Sequence, residues 1–178
     1  VLARRLSEQA DTRVLLLEAG PSTENKFWIN TPAGISELFA SKTYNYRFWT
    51  EPEPTLNNRR VYWPRGKGLG GSGAINGMVY VRGHRRDYDQ WAELGNPGWS
   101  WDEVLPYFKR SESNEWGASE AHGGDGPLGI TGPAVKHPTA SAFIEAATKY
   151  GLPFREDFNA GEIEGAGFMQ ATIRDGIR

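Results

Sequence analysis

The sequence predicts an α/β fold, and two neighbouring features near its start support this prediction. Residues 1–10 have the spacing of an amphipathic helix, because Leu2, Leu6 and Ala10 fall on one face. The short apolar run at residues 14–17 has the composition of a parallel strand that is buried on both faces. A helix that leads into such a strand is typical of α/β proteins.

Later elements are predicted from periodicity and from helix-capping residues. The apolar spacing at residues 87–94 indicates one helix, and Ser100 with Glu103 forms a capping box that begins another. The clearest helix is predicted at residues 137–150, where Gly151 provides the stop. Its apolar stripe is expected to consist of Ala142, Phe143, Ala146, Ala147 and Tyr150. A strand or the start of a helix is expected at residues 78–81, and a strand at residues 128–131; loops are expected at residues 21–58 and 113–127.

Composition excludes several functional classes. The 178 residues include 20 basic and 22 acidic ones, so no general attraction to nucleic acid or to a membrane surface is expected. The absence of cysteine excludes disulfides, thiolate metal sites and a cysteine nucleophile. The three histidines lack the spacing of metal ligands, so no metal site is expected. No transmembrane segment is expected either, because no apolar run approaches the roughly 18 residues that a span needs.

Glu18 is the first candidate for binding a ligand. It ends the apolar run, where a dinucleotide-binding fold has an acidic residue that binds ribose hydroxyls. The glycine motif of such a fold lies about 20 residues earlier. That position falls before residue 1, so the sequence is interpreted as a fragment of a longer protein. The alternative for Glu18 is an ordinary surface glutamate at the end of a strand.

The second candidate is the glycine-rich segment, residues 66–77. Its spacing satisfies G-x-G-x-x-G, but no crossover helix is expected to follow, and the Lys-Ser/Thr pair of a phosphate-binding loop is missing. Backbone without Cβ atoms can lie against a flat ligand and direct N–H groups at it. Positive charge nearby favours an anionic ligand such as a diphosphate. No acidic residue interrupts the series Arg59, Arg60, Arg65, Lys67, Arg82, Arg85 and Arg86.

The glycine-rich segment also resembles part of a known protein family. The resemblance is to the first signature of the glucose-methanol-choline (GMC) oxidoreductases, and it covers residues 66–83, GKGLGGSGAINGMVYVRG. Shorter stretches similar to the family lie at residues 15–20, 49–53, 63–67, 124–128 and 157–159. The resemblance therefore extends over nearly the whole chain, and it is closest to the choline dehydrogenase-like branch.

The resemblance implies a partial Rossmann-like FAD-binding fold at residues 1–119, interleaved with the start of an α+β substrate domain at residues 120–178. It implies oxidation of a CH–OH group to an aldehyde or ketone, with hydride transfer to the flavin. The catalytic histidine of the family lies near the C-terminus of the full protein, so no catalytic residue is expected in this chain. The residues implied to bind FAD are Glu18, at the ribose, and Gly71, Ser72, Asn76, Gly77, Met78 and Val79.

Further expectations concern attachment, partners and location. Some relatives attach FAD through a histidine at the position of Ile75, so noncovalent FAD is expected here. The substrate would be a small alcohol, and the electron acceptor would be oxygen or a quinone-like carrier. The protein would be cytoplasmic or membrane-associated. Two alternatives remain open. An NAD-linked dehydrogenase fragment would not need the long glycine-rich segment, and a non-catalytic binding module would use the aromatic stretch at residues 27–49.

Overall fold

Two units make up the fold. The computed structural model describes all residues from 1 to 178, which separate into Val1–Gly77 and Met78–Arg178. The predicted boundary between residues 119 and 120 concerns cofactor and substrate binding and stays a prediction. Every helix of the chain falls short of the length and hydrophobicity that a membrane span requires.

The first unit contains short helices and one hairpin. The helices are α1 (Leu2–Leu6), α2 (Phe27–Asn30) and α3 (Ile35–Ala40), with 3-10 turns at Pro32–Gly34, Pro54–Leu56 and Gly71–Ala74. Strands β1 (Phe48–Trp49) and β2 (Tyr62–Trp63) pair in antiparallel fashion. The helices between residues 27 and 40 correct the expectation of a loop there. They were missed because helical periodicity needs a window of about 11 residues or more to be recognised.

A small apolar core joins these helices to the glycine-rich segment. Ile29 of α2, Leu38 of α3 and Ile75 are all buried and pack together. Tyr44 and Ala74 are partly buried against them. Because Ile75 follows directly after the 3-10 turn, its packing fixes the end of that turn on the helices.

The predicted buried strand at residues 14–17 is wrong. These residues form no strand, and Leu15 and Leu17 are each 83% exposed. The backbone groups of a strand must pair with a neighbouring strand, and no strand of this chain lies beside the run. The first helix is also shorter than predicted, since α1 ends at Leu6.

The second unit contains longer helices and two pairs of strands. The helices are α4 (Arg85–Glu93), α5 (Trp101–Ser111) and α6 (Pro138–Lys149). Strands β3 (Val79–Tyr80) and β6 (Gln170–Ala171) pair antiparallel, and β4 (Glu112–Asn114) and β5 (Leu128–Ile130) pair parallel. The predictions of these three helices, β3 and β5 are confirmed, whereas the loop predicted from residue 113 begins as β4.

Side-chain caps explain where the helices of the second unit begin. The Asp87 carboxylate accepts the N–H of His84 at 2.9 Å before α4. The Glu103 carboxylate accepts the N–H of Ser100 at 3.1 Å before α5, as the capping box predicts. The Nδ1 atom of His137 accepts the N–H two residues later at 3.3 Å in the first turn of α6. The apolar stripe of α6 is nevertheless not buried, because no residue of this helix is.

Candidate cofactor-binding site

Glu18 brings two distant parts of the first unit together. Its Oε1 atom accepts the N–H of Gly20 at 2.8 Å and the N–H of Gly68 at 2.9 Å. Gly68 belongs to the glycine-rich segment, 50 residues further along the chain. The second carboxylate oxygen, Oε2, makes no hydrogen bond within the chain, and Glu18 is an exposed residue. Glu18 therefore holds the glycine-rich segment in place and still has an acceptor for another group.

Close approach of backbone to backbone explains the glycines at this junction. A Cβ atom on Gly20 would lie 2.3 Å from the N atom of Gly68, and one on Gly66 would lie 2.0 Å from the carbonyl oxygen of Gly71. Real Cβ atoms essentially never come that close to another heavy atom. The hydroxyl of Thr23 adds a hydrogen bond to the carbonyl oxygen of Leu69 at 2.9 Å. The segment is thus folded tightly at positions where only glycine fits.

The exposed side of the glycine-rich segment is open. Gly71 has a φ of +54°, and a Cβ atom there would meet nothing within 4 Å. A Cβ atom on Gly73 would also meet nothing within 4 Å, although its backbone is not left-handed. Ser72 is partly engaged, because its Oγ atom accepts the N–H of Gly66 at 3.1 Å. Its hydroxyl proton can still be donated to a ligand.

The remaining predicted site residues fall on both sides of the boundary between the units. Asn76 is exposed, and Gly77 is the last residue of the first unit. A Cβ atom added to Gly77 would lie 3.4 Å from the side chain of Ile35. Met78 and Val79 belong to the second unit, where Met78 is buried and Val79 is exposed on β3. The structure therefore brings Glu18 together with the glycine-rich segment, while Met78 and Val79 are positioned by β3.

The positive charge near the segment is smaller than the sequence suggests. Arg82 forms a buried ion pair with Glu112, and Arg85 pairs with Asp89 and Asp102. Of the seven, Arg59, Arg60, Arg65 and Lys67 in the first unit and Arg86 in the second form no ion pair. Four unpaired basic residues of the series thus lie in the first unit, where their charge could act on a bound anion.

Sequence reasoning missed a group of buried ionisable residues in the second unit. This ionic cluster consists of Arg82, Glu112, His122 and Asp157. Burial alone would raise the pKa of Glu112, but hydrogen bonds from Tyr80, Gly123 and its charged neighbours hold it below its ordinary value. Burial, together with the hydrogen bond to Glu112, raises the pKa of Tyr80 to about 12. No local pattern signals the cluster, because its members lie far apart in the sequence.

The second unit also contains a wide apolar cavity of about 1010 Å³. It is bordered mainly by α6 and by the segment from Leu152 to Met169. Its apolar lining includes Phe143, Ile144, Ala147, Leu152, Phe158 and Ile163. None of the residues predicted to bind a cofactor lines this cavity, which lies mostly in the region predicted to begin a substrate domain.

Comparison with known proteins gives a consistent result. The GMC oxidoreductase family matches residues 15–178. An oxygen-dependent choline dehydrogenase of Rhizobium etli is 48% identical over 177 residues, which are 99% of this chain and 32% of that protein. The crystal structure of pyridoxine 4-oxidase from Mesorbium loti has a TM-score of 0.92 and 41% identity, and the match covers 99% of this chain and 35% of that one.

An FAD-dependent oxidoreductase from Chaetomium thermophilum is also similar, with a TM-score of 0.86 and 34% identity over 97% of this chain and 31% of that one. The chain thus spans about a third of the length of these relatives. The solved structures confirm the predicted α/β, FAD-binding fold class, although the strand at residues 14–17 is not formed. With a family match over most of its length and relatives of this similarity, the chain belongs to the GMC oxidoreductase family.

Proposed function

We propose that this chain is the FAD-binding part of an alcohol oxidoreductase that oxidises a CH–OH group to an aldehyde or ketone. The contact between Glu18 and the N–H of Gly68 carries the proposal. It places the acidic side chain that a dinucleotide-binding fold uses for ribose hydroxyls beside glycine-rich backbone, whose N–H groups can closely approach a flat or anionic ligand. Membership of the GMC family supports the same cofactor, as does the FAD dependence of the C. thermophilum relative.

The residues of the first unit fit such a cofactor. The unused Oε2 atom of Glu18 would accept a ribose hydroxyl, since Oε1 is already occupied by two backbone donors. The open backbone at Gly71 and Gly73 would let a diphosphate or flat ring approach without meeting a side chain. Ser72 would donate its hydroxyl proton to that ligand. Asn76, Gly77, Met78 and Val79 complete the proposed set of FAD contacts.

FAD, when bound, supplies the acceptor for the hydride that leaves the substrate carbon. We propose that it binds noncovalently. The isoleucine at position 75 has no nucleophilic atom, and its side chain is buried in the apolar core with Ile29 and Leu38. Acid or heat denaturation of the complete protein should therefore release free flavin. Flavin that comigrates with the denatured polypeptide on a gel would contradict this part of the proposal.

The proposed substrate is a small alcohol, and choline is the first candidate because the R. etli relative is named a choline dehydrogenase. The proposed acceptor is oxygen, as that name states for the relative, or a quinone-like carrier. Residues 120–178 would begin the substrate-binding region, which agrees with the large apolar cavity there. The proposed location is cytoplasmic, with attachment to a membrane surface as the alternative.

The decisive experiment is a visible absorption spectrum of the complete protein, followed by anaerobic addition of choline and of other small primary alcohols. We expect the spectrum of an oxidised flavin that bleaches when a substrate alcohol is added. Reduction of added NAD without any flavin spectrum would favour the NAD-linked dehydrogenase. A colourless protein that captures a partner in its cofactor-free form would favour the binding module. Both of these outcomes would refute the proposal.

A further inference from the structure

The ionic cluster of the second unit lies outside the proposed cofactor site. The side chains of Arg82, Glu112 and His122 are 1%, 0% and 5% exposed, and that of Asp157 is 20% exposed. Arg82 Nη2 donates to Glu112 Oε2 at 2.7 Å. Charged groups are found at such depth only when they are paired and hydrogen-bonded, so the arrangement of charges and protons within the cluster matters.

His122 has a carboxylate at each ring nitrogen. Its Nδ1 atom lies 2.7 Å from Glu112 Oε1, and its Nε2 atom lies 2.9 Å from Asp157 Oδ2. A carboxylate only accepts, so both nitrogens must donate, and only the positively charged imidazolium has two N–H groups. The amide nitrogen of Asn114 is also 3.0 Å from Nδ1. Because an amide N–H cannot donate to a protonated nitrogen, the shorter contact with Glu112 determines the proton's position.

With His122 charged, the cluster is balanced. Arg82 and His122 are positive, and Glu112 and Asp157 are negative. The other groups that bond to the two carboxylates are neutral donors: the Tyr80 hydroxyl to Glu112 at 2.5 Å, the Gly123 N–H to Glu112 at 2.9 Å and the Asn159 N–H to Asp157 at 2.7 Å. The carbonyl oxygens of Ala121 and Asn159 that accept from Arg82 are neutral as well. Loss of the proton from His122 would leave one excess negative charge in a buried site, with a carboxylate facing a ring nitrogen that no longer donates.

Two loops depend on these bonds. His122 belongs to the loop at residues 119–123, which Arg82 also holds through the carbonyl oxygen of Ala121 at 2.7 Å. Asp157 belongs to the segment 157–159, in which the side-chain oxygen of Asn159 accepts the N–H of Arg82 at 2.8 Å. The bond between His122 and Asp157 is therefore the direct side-chain link between the loop and the segment, and both are attached to the end of β3.

We propose that the ionic cluster is a pH-dependent latch, in which the direct link between residues 119–123 and residues 157–159 is held only while His122 is positively charged. The bonds from Arg82 to Ala121 and Asn159 do not depend on that charge. The latch requires no cofactor, so it stands independently of the proposed function. Its opening would loosen the segment that contributes Phe158 to the lining of the apolar cavity.

The direction of the pH dependence follows from the charges. The hydrogen bond with Asp157, opposed by burial and assisted by Glu112, raises the pKa of His122 above its ordinary value of 6.5. The stability from His122 is therefore complete below about pH 6.5 and is lost as the pH rises through the raised value. Burial would raise the pKa of Asp157, but the hydrogen bonds from His122 and Asn159 and the charges of His122 and Arg82 together lower it, as the hydrogen bonds and charges around Glu112 lower the pKa of that residue.

The stability from the two carboxylates is complete above their ordinary values, 4.5 for Glu112 and 3.8 for Asp157, and is lost as the pH falls through the lowered values. The latch should therefore be tightest between about pH 4.5 and 6.5 and should open at alkaline pH.

Hydrogen exchange measured by mass spectrometry on the complete protein tests the latch. After correction for the intrinsic effect of pH, exchange in peptides covering residues 119–123 and 157–159 should rise about tenfold or more between pH 6 and pH 9. Exchange in α4 of the same protein should change little and provides the internal reference. Equal pH dependence in the two loops and in α4 would overturn the proposal.

The variant Asp157→Asn separates charge from contact. A neutral His122 could then donate from Nδ1 to Glu112 and accept at Nε2 from the asparagine amide, so the bonds would survive without the imidazolium. We expect the two loops of Asp157→Asn to stay protected at pH 9. The matched control His84→Asn, which keeps a capping side chain before α4, should open at pH 9 as the wild type does. Opening of Asp157→Asn at pH 9 to the wild-type extent would also refute the latch.

Discussion

The glycine-rich segment of the first unit and the ionic cluster of the second unit use polar groups in different ways. In the segment, backbone N–H groups and one exposed carboxylate form the contacts, and an acceptor of Glu18 remains unused. In the cluster, the charged side chains are buried and bonded to one another. Polar groups that keep an unpaired donor or acceptor can bind a ligand, whereas polar groups whose partners all lie within the protein stabilise its fold. The following substitutions test this division.

The largest effect is expected from Glu112→Ala. This change leaves the buried Arg82 without its partner and removes one of the two acceptors of His122. Breaking a buried ion pair in this way costs about 3–5 kcal/mol. Urea denaturation of the complete protein should show this loss of stability.

The control is Glu145→Ala, which removes an exposed ion pair with Lys149 on α6. Such surface pairs contribute less than about 1 kcal/mol. Similar losses in the two variants would mean that the cluster does not stabilise the second unit more than a surface pair does.

The next effect concerns Glu18, where ligand binding and loop positioning can be separated. Glu18→Ala removes both carboxylate oxygens and should weaken FAD binding about 10- to 100-fold. Glu18→Gln keeps one oxygen that can accept the N–H groups of Gly20 and Gly68, but it replaces the other acceptor with a donor. Glu18→Gln should therefore keep the protection of the Gly68 amide against exchange and still bind FAD more weakly than the wild type. Unchanged flavin retention after dialysis of both variants would identify Glu18 as an ordinary surface residue.

A smaller effect is expected from a methyl group at the glycine junction. The Cβ atom of Gly66→Ala would collide with the backbone carbonyl of Gly71, and overpacking of this kind costs about 1–3 kcal/mol. Gly73→Ala is the matched control, because its Cβ atom meets nothing and its φ is not left-handed. The thermal unfolding temperature of the cofactor-free protein should fall for Gly66→Ala and stay unchanged for Gly73→Ala. Equal unfolding temperatures of the two variants would mean that the junction tolerates a Cβ atom at Gly66.

Features that depend on residues close together in sequence could be predicted, whereas features that depend on distant residues could not. Helix ends depend on neighbours in sequence, so Ser100 with Glu103 and the stop at Gly151, whose φ is +111°, could be predicted. Residues 14–17 can form a strand only beside a partner strand, and the local sequence pattern contains no information about whether such a partner is present. The burial of Arg82 depends on Glu112, 30 residues later. The sequence alone therefore does not distinguish the buried Arg82 from an exposed arginine such as Arg85.

The candidate site follows the same rule. The glycine-rich segment was predicted because close backbone approach requires a residue type that is visible in the sequence, as at Gly66. Glu18 was predicted from its place after an apolar run, although that run is not a strand. The hydrogen bond that joins Glu18 to Gly68 was not predicted, since it spans 50 residues. The sequence therefore predicts the chemical groups of the candidate site, and the fold shows how Glu18 and the glycine-rich segment contact each other.

The smallest effect is expected at Asn76, which is exposed at the end of the glycine-rich segment. Asn76→Leu keeps the approximate volume and removes both the donor and the acceptor of the amide. If Asn76 is one of the polar groups that bind FAD, the loss of one hydrogen bond should cost about 0.5–1.5 kcal/mol of FAD binding. Flavin occupancy should then fall several-fold at limiting FAD while the protein keeps its fold by circular dichroism. The opposite result, lower stability of the cofactor-free protein with normal FAD binding, would show that Asn76 is a turn residue that stabilises the fold and does not bind FAD.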